Sequence, residues 1–173
     1  MIVEKRIPPL EPPDSIHLKA AEGWLELGNH LEANEELEKI APELRVHPDV
    51  LEIRWHIYAK ESKWEACIDI ARAITEIEPE RPFGWIHFAY STRRAPNGGL
   101  KAARDILFPA AAKFPQLFII PYNLACYDCQ LGNLKEALQW VQKAIDLAGK
   151  KDIRLMALDD PDLEPLWNDI SEI

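Results

Sequence analysis

Residues 122–149 read YNLACYDCQLGNLKEALQWVQKAIDLAG. Gly132-Asn133 supplies a turn between two helix-forming runs, and Gly149 suits the C-cap of the second. Within the second run a small residue stands at Ala137, with Leu134 three before it, Val141 four after and Ala144 seven after. The same pattern recurs upstream. Ala33, Cys67 and Ala103 occupy the small position, preceded by His30, Trp64 and Leu100. Leu37, Ala71 and Leu107 follow at +4, and Ile40, Ile74 and Ala110 at +7. The spacings are 34, 36 and 34 residues. A recurrence of this length predicts stacked helix–turn–helix units, none of which can bury its apolar face alone.

Each unit is expected to hold a helix A and a helix B. The first pairs 15–27 with 31–44, broken at Gly28 and closed by His47-Pro48-Asp49, because proline beyond a helix end forbids continuation. The second pairs 49–61 with 64–77 and ends at Glu78-Pro79-Glu80. The third pairs 83–94 with 100–113 and ends at Phe114-Pro115; the fourth pairs 120–131 with 134–148. Small residues at Ala33, Ala103 and Ala137 let helix B cross helix A at the ~8–10 Å of close packing. Leu37, Leu107 and Val141 fill the core one turn further along the same face.

The run Leu131-Gly132-Asn133-Leu134-Lys135-Glu136-Ala137-Leu138 resembles the turn-and-helix signature of the tetratricopeptide repeat. The first unit resembles it through Leu27-Gly28-Asn29 and Ala33. The second does so through Lys63-Trp64-Glu65-Ala66-Cys67 and Pro79, the third through Ala102-Ala103, Ala110 and Pro115. The resemblance covers about residues 14 to 150. It implies an all-α, right-handed α–α superhelix of four repeats (14–47, 48–81, 82–117 and 118–150). A Pro-rich extended arm (1–13) would precede them and a C-terminal capping tail with a short helix (151–173) would follow. It also implies a non-enzymatic scaffold that binds a peptide or helix of another protein along a concave groove lined by helix A.

Departures from the pattern carry expectations of their own. Trp55 replaces a residue that is small as Ala21, Ala89 and Ala125 in the other units, and should splay or rotate the second unit. The third unit has a longer turn at Ala95-Pro96-Asn97-Gly98-Gly99. Pro109 should kink its helix B, since the ring clashes with the preceding turn. His30 is polar where the family is commonly aromatic. In the tail, a short helix over 152–157 is expected, then a brief helix restarting at Asp159-Asp160-Pro161-Asp162 and running through Leu166, with Trp167 anchoring the tail.

Pro8, Pro9, Pro12 and Pro13 make residues 1–13 extended. The arm is expected either to be disordered or to lie against its own array or a neighbouring molecule. Asp14 or Ser15 should cap the first helix.

The formal net charge of −9 from 29 acids and 20 bases argues against a nucleic-acid partner. No segment reaches the ~18 apolar residues of a membrane span. The N-terminal MIVEKRIPPLEPPD lacks the apolar run of a secretory signal, and three cysteines read as reduced thiols, so a cytoplasmic chain is expected. No cofactor is implied. Cys126 and Cys129 form a C-x-x-C without the second pair or His that zinc needs, so no metal site is expected. The five histidines form no i, i+4 pair. Glu52 and His56 could pair on one helix but lack a nucleophile for catalysis.

On the tetratricopeptide pattern, the groove would draw Leu18, Glu22, Leu25 and Glu26 from the first unit. Asp49, Glu52, His56 and Lys60 come from the second. Leu18 and Glu22 stand where co-chaperones that clamp acidic C-terminal peptides carry Lys and Asn, so that clamp is absent and such a partner is not expected. The aromatic and basic stretch further along supplies the candidate peptide-binding residues: Phe83, Ile86, Tyr90, Arg93, Arg94, Tyr122 and Asn123. Cys126 and Cys129 share that wall. Phe83, Ile86, Ile119 and Tyr122 could instead pack against one another or the arm. A self-associating homodimeric scaffold is the alternative function.

Overall fold

A computed structural model describes residues 7–173. Helices dominate, and no strand occurs among the described residues. None of these helices is long and apolar enough to cross a membrane. The chain forms two compact units, one ending at Gly84 and one starting at Trp85.

The first unit contains α1 (Asp14–Glu26), α2 (His30–Lys39), α3 (Pro48–Lys60), α4 (Trp64–Ile77) and the start of α5 (Pro82–Arg94). Gly28, at φ 78°, turns the chain between α1 and α2. A Cβ there would be strained by the left-handed conformation. Asn29 then caps α2 by accepting from the Glu32 amide at 3.2 Å. The core gathers Leu18, Ala21, Ala33, Leu37, Ile40, Val50 and Ile57, with Leu10 of the arm packed against it.

Helix B of the first repeat is shorter than the expected 31–44. α2 stops at Lys39, because Ile40 is extended and Pro42 opens a separate 3-10 turn, Pro42–Leu44. The expected cap of α1 also differs. Pro13 takes the N-cap position, and Asp14 instead accepts the Ala41 amide at 2.7 Å, tying α1 to the chain beyond α2. Of the arm, residues 7–11 line a cavity of about 610 Å³ with Leu44, Val46, Pro48 and Ile77. The His47 Nε2–H donates to the Pro8 carbonyl at 3.0 Å, while its Nδ1 accepts from the Asp49 amide. The described part of the arm therefore lies against its own unit; residues 1–6 are outside the described residues.

The second unit continues through α6 (Leu100–Leu107), α7 (Ala110–Lys113), α8 (Ile119–Gln130), α9 (Leu134–Ala148), α10 (Lys150–Leu158) and α11 (Trp167–Glu172). A 3-10 segment, Pro161–Leu166, joins the last two. Pro109 does more than kink: it ends α6 and starts α7. Gly98 is held where a Cβ would stand 1.8 Å from the Thr92 carbonyl oxygen, so the long turn requires glycine. α10 is longer than the expected 152–157 helix. Ile153, Ala157, Leu163, Leu166 and Ile170 join the core of α8 and α9, and Trp167 donates its Nε1–H to the Ala157 carbonyl at 3.0 Å.

Candidate binding faces

Two stretches of helix-A surface differ in their state, and each belongs to one unit. In the first unit, Glu22, Leu25 and Glu26 of α1 and Ile53, His56 and Lys60 of α3 line an open cavity of about 350 Å³. The side chains of Glu22 and Glu26 are one helical turn apart and exposed. Neither has an ion-pair partner among the described residues. Behind the cavity, Trp55, His56 and Phe83 meet edge to face, with ring centroids 5.3–5.8 Å apart. Partial desolvation, helped by the Lys60 ammonium, holds His56 below its ordinary imidazole value. It therefore lines the cavity neutral at pH 7. Phe83 is thus placed in an aromatic cluster at the edge of this face.

The Glu52–His56 pair that the sequence offered does not form. Glu52 accepts from Arg81 Nη1 at 2.7 Å, and Asp49 accepts from Arg81 Nη2 at 2.7 Å. Glu78 takes the remaining Nε–H. One guanidinium of the α4–α5 loop thus pairs with three carboxylates, while Glu22 and Glu26 form no ion pair among the described residues and share the cavity with Lys60.

In the second unit the corresponding wall is occupied by the chain itself. The Tyr122 hydroxyl donates to Asp160 Oδ2 at 2.9 Å, and the Cys126 thiol donates to the same oxygen at 3.5 Å. Arg93 grips both Asp162 oxygens, with Nη2 to Oδ1 at 2.7 Å. Gln130 donates to the Asp162 carbonyl at 2.8 Å. Asp160 Oδ1 also caps its own segment by accepting the Asp162 amide at 3.0 Å. Bidentate Arg–carboxylate pairs are the strong, directional kind. Burial and the Asp160 carboxylate push the Tyr122 hydroxyl and the Cys126 thiol well above their usual ranges, so both remain protonated donors.

These contacts place two of the expected groove residues, Arg93 and Tyr122, under the tail; Tyr122 is only 4% exposed. Ile86 packs against the core, and Asn123 is half-buried. Arg94 stacks over the Tyr90 ring at 3.4 Å. Cys126 Sγ and the carboxylates of Asp160 and Asp162 lie within 4.8 Å of one another, a donor set within reach of a small cation. The Arg93 fork and the protonated thiol already satisfy that set internally. Cys129 is buried on α8, its thiol raised by desolvation.

Sequence reasoning missed a third feature, the buried carboxylate of Asp128. It is 0% exposed and accepts from Arg104 Nε at 2.6 Å, Asn133 Nδ2 at 2.9 Å and Trp140 Nε1 at 3.1 Å. The network ties α6, α8 and α9 together. An Asp inside an otherwise apolar helix face is the signal that would have found it.

No family model matches the chain, and no curated protein does. Among solved structures, it is similar to a thermophilic TPR protein of Thermus thermophilus, at 16% identity and a TM-score of 0.69. The match covers 92% of this chain and 100% of that one. The likeness shows the fold: an all-α array of helical hairpins of the tetratricopeptide type.

Proposed function

We propose that this chain is a non-enzymatic interaction module that receives a peptide or helix of a partner protein on the helix-A face of its first unit. The observation that carries this reading is the open cavity lined by Glu22, Leu25, Glu26, Ile53, His56 and Lys60. Leu25 and Ile53 make its lining partly apolar, and the carboxylates of Glu22 and Glu26, in no ion pair among the described residues, outnumber its one cation, Lys60. Residues 1–84 carry 18 acids against 10 bases, whereas residues 85–173 carry 11 against 10. Both facts favour a segment with Lys or Arg beside an apolar side chain, since complementary charge raises encounter rate and fixes register. Phe83, whose ring meets that of the lining residue His56, is proposed to add apolar contact at the cavity edge. On the second unit by itself, Ile86, Tyr90, Arg94 and Asn123 are proposed as contacts of a separate peptide-binding face, joined by Arg93 and Tyr122 only where the tail is displaced. A cytoplasmic location belongs to the same reading.

Fluorescence anisotropy with a labelled Lys- and Leu-bearing peptide tests it. Binding should weaken about tenfold or more for Glu22→Lys with Glu26→Lys, because two rim attractions become repulsions. Unchanged binding by that variant would remove the cavity from the reading.

A further inference from the structure

The outer face of α10 is mostly unused by the fold; only Leu158, at its C-terminal end, also packs against the core. Its inner face is structural, with Ile153 and Ala157 at 2% and 0% exposure. Lys151, Arg154, Leu155 and Leu158 follow one another at i, i+3, i+4 and i+7, so they share one stripe of the helix. With Lys150 they line a cavity of about 440 Å³, and Leu155 is 61% exposed.

No carboxylate pairs with Lys150, Lys151 or Arg154 among the described residues. Of the seven other cations of the same unit, six are engaged and Lys135 stands alone on the surface among the described residues. Arg93, Lys101 and Arg104 pair with Asp162, Asp105 and Asp128. Arg94, Lys113 and Lys143 rest on the rings of Tyr90, Phe114 and Trp140. A chain with a net charge of −9 thus gathers three uncompensated cations around one apolar cavity.

We propose that this face docks an acidic amphipathic segment of another protein. Its carboxylates pair with Lys150, Lys151 and Arg154, and a leucine-sized side chain enters beside Leu155 and Leu158. Charge complementarity selects this occupant. An anionic bilayer would gain only the small increment that each of three cations supplies, and the rest of this acidic chain would be repelled by it. A peptide meets only the local field, which at physiological salt extends about 8 Å. The helical spacing of the stripe matches the i, i+3, i+4, i+7 anchors of helix recognition. This face lies in the second unit and is independent of the cavity proposed for the first.

The probe is a fluorescein-labelled peptide of about 16 residues, long enough to favour a helix, with glutamates flanking leucines at helical spacing. Its anisotropy should rise with the full-length protein. Affinity should fall about tenfold or more for Lys151→Glu with Arg154→Glu and for Leu155→Gln, and should stay within about twofold for the exposed control Lys135→Glu. All these side chains are exposed or half-exposed, and an unchanged circular-dichroism melt verifies that the variants fold. The proposal is overturned by an absence of binding, or by equal affinity for the same peptide with glutamine in place of glutamate. It is also overturned by preference for phosphatidylserine vesicles, or by self-association of the chain that the same variants abolish.

Discussion

Replacing Asp128 with alanine should unfold the second unit more readily than almost any other single change on α8. The carboxylate has no solvent exposure and receives three donors, from Arg104, Asn133 and Trp140. Breaking a buried ion pair by removing one partner costs about 3–5 kcal/mol, because the other charge is left uncompensated. Arg104 keeps 24% of its side chain in solvent and regains some water, which places the loss near the low end, about 3 kcal/mol. With a urea slope of about 2 kcal/mol/M, the midpoint should fall by about 1.5 M. Tryptophan fluorescence reads the transition, since Trp140 sits in the network. Asp128→Asn preserves shape but turns one acceptor oxygen into a donor facing donors. It should still lose about 2 kcal/mol. Adding Arg104→Met to Asp128→Ala should recover at least about 1 kcal/mol, as the orphaned charge is gone. A loss below about 1 kcal/mol for Asp128→Ala, or strict additivity with Arg104→Met, would refute the argument.

Further outcomes follow from other sites. Gly98→Ala should cost at least about 2 kcal/mol, since its Cβ would overlap the Thr92 carbonyl, whereas Gly23→Ala, with nothing within 4 Å, should stabilise α1 by up to about 1 kcal/mol; paired thermal melts check both. Leu163→Ala should lose about 2–5 kcal/mol in urea unfolding, because a fully buried side chain leaves a cavity beneath the tail. Burial pushes the Cys67 thiol up to about 11, so at pH 8 only about one thiol in a thousand is ionised. Cys126 and Cys129 are raised as well. Reaction of all three with a chromogenic disulfide should therefore be slow in the native protein and fast in denaturant; a rapidly reacting thiol at pH 8 would contradict their burial.

The repeat was legible because it is written in small and apolar residues at fixed spacing. All twelve positions, from Ala33, Leu37 and Ile40 through Ala137, Val141 and Ala144, are 0% exposed. Steric demand at a helix crossing leaves a strong trace in sequence. Local geometry left a weaker one. Asp14 looked like a cap, but its carboxylate reaches the Ala41 amide 27 residues away, a contact that no local pattern encodes. Pro109 looked like a kink and became a break between two helices. The groove was the least legible part. Arg93 and Tyr122 have the chemistry of ligand contacts, and the carboxylates of Asp160 and Asp162 now satisfy it. Nothing in the spacing of Asp160-Pro161-Asp162 says that it returns to α5 and α8. Only the fold closes that distance of 69 residues between Arg93 and Asp162.

We propose that partner binding falls to the acidic face of α1 and α3, while the tail keeps the wall of α8 closed. An amide-resolved NMR titration with the Lys- and Leu-bearing peptide tests this most directly. Shifts should cluster at residues 22–26 and 53–60 and leave Tyr122, Gln130 and Asp162 unmoved. Shifts centred on α8 and the tail, with none on α1 and α3, would contradict it.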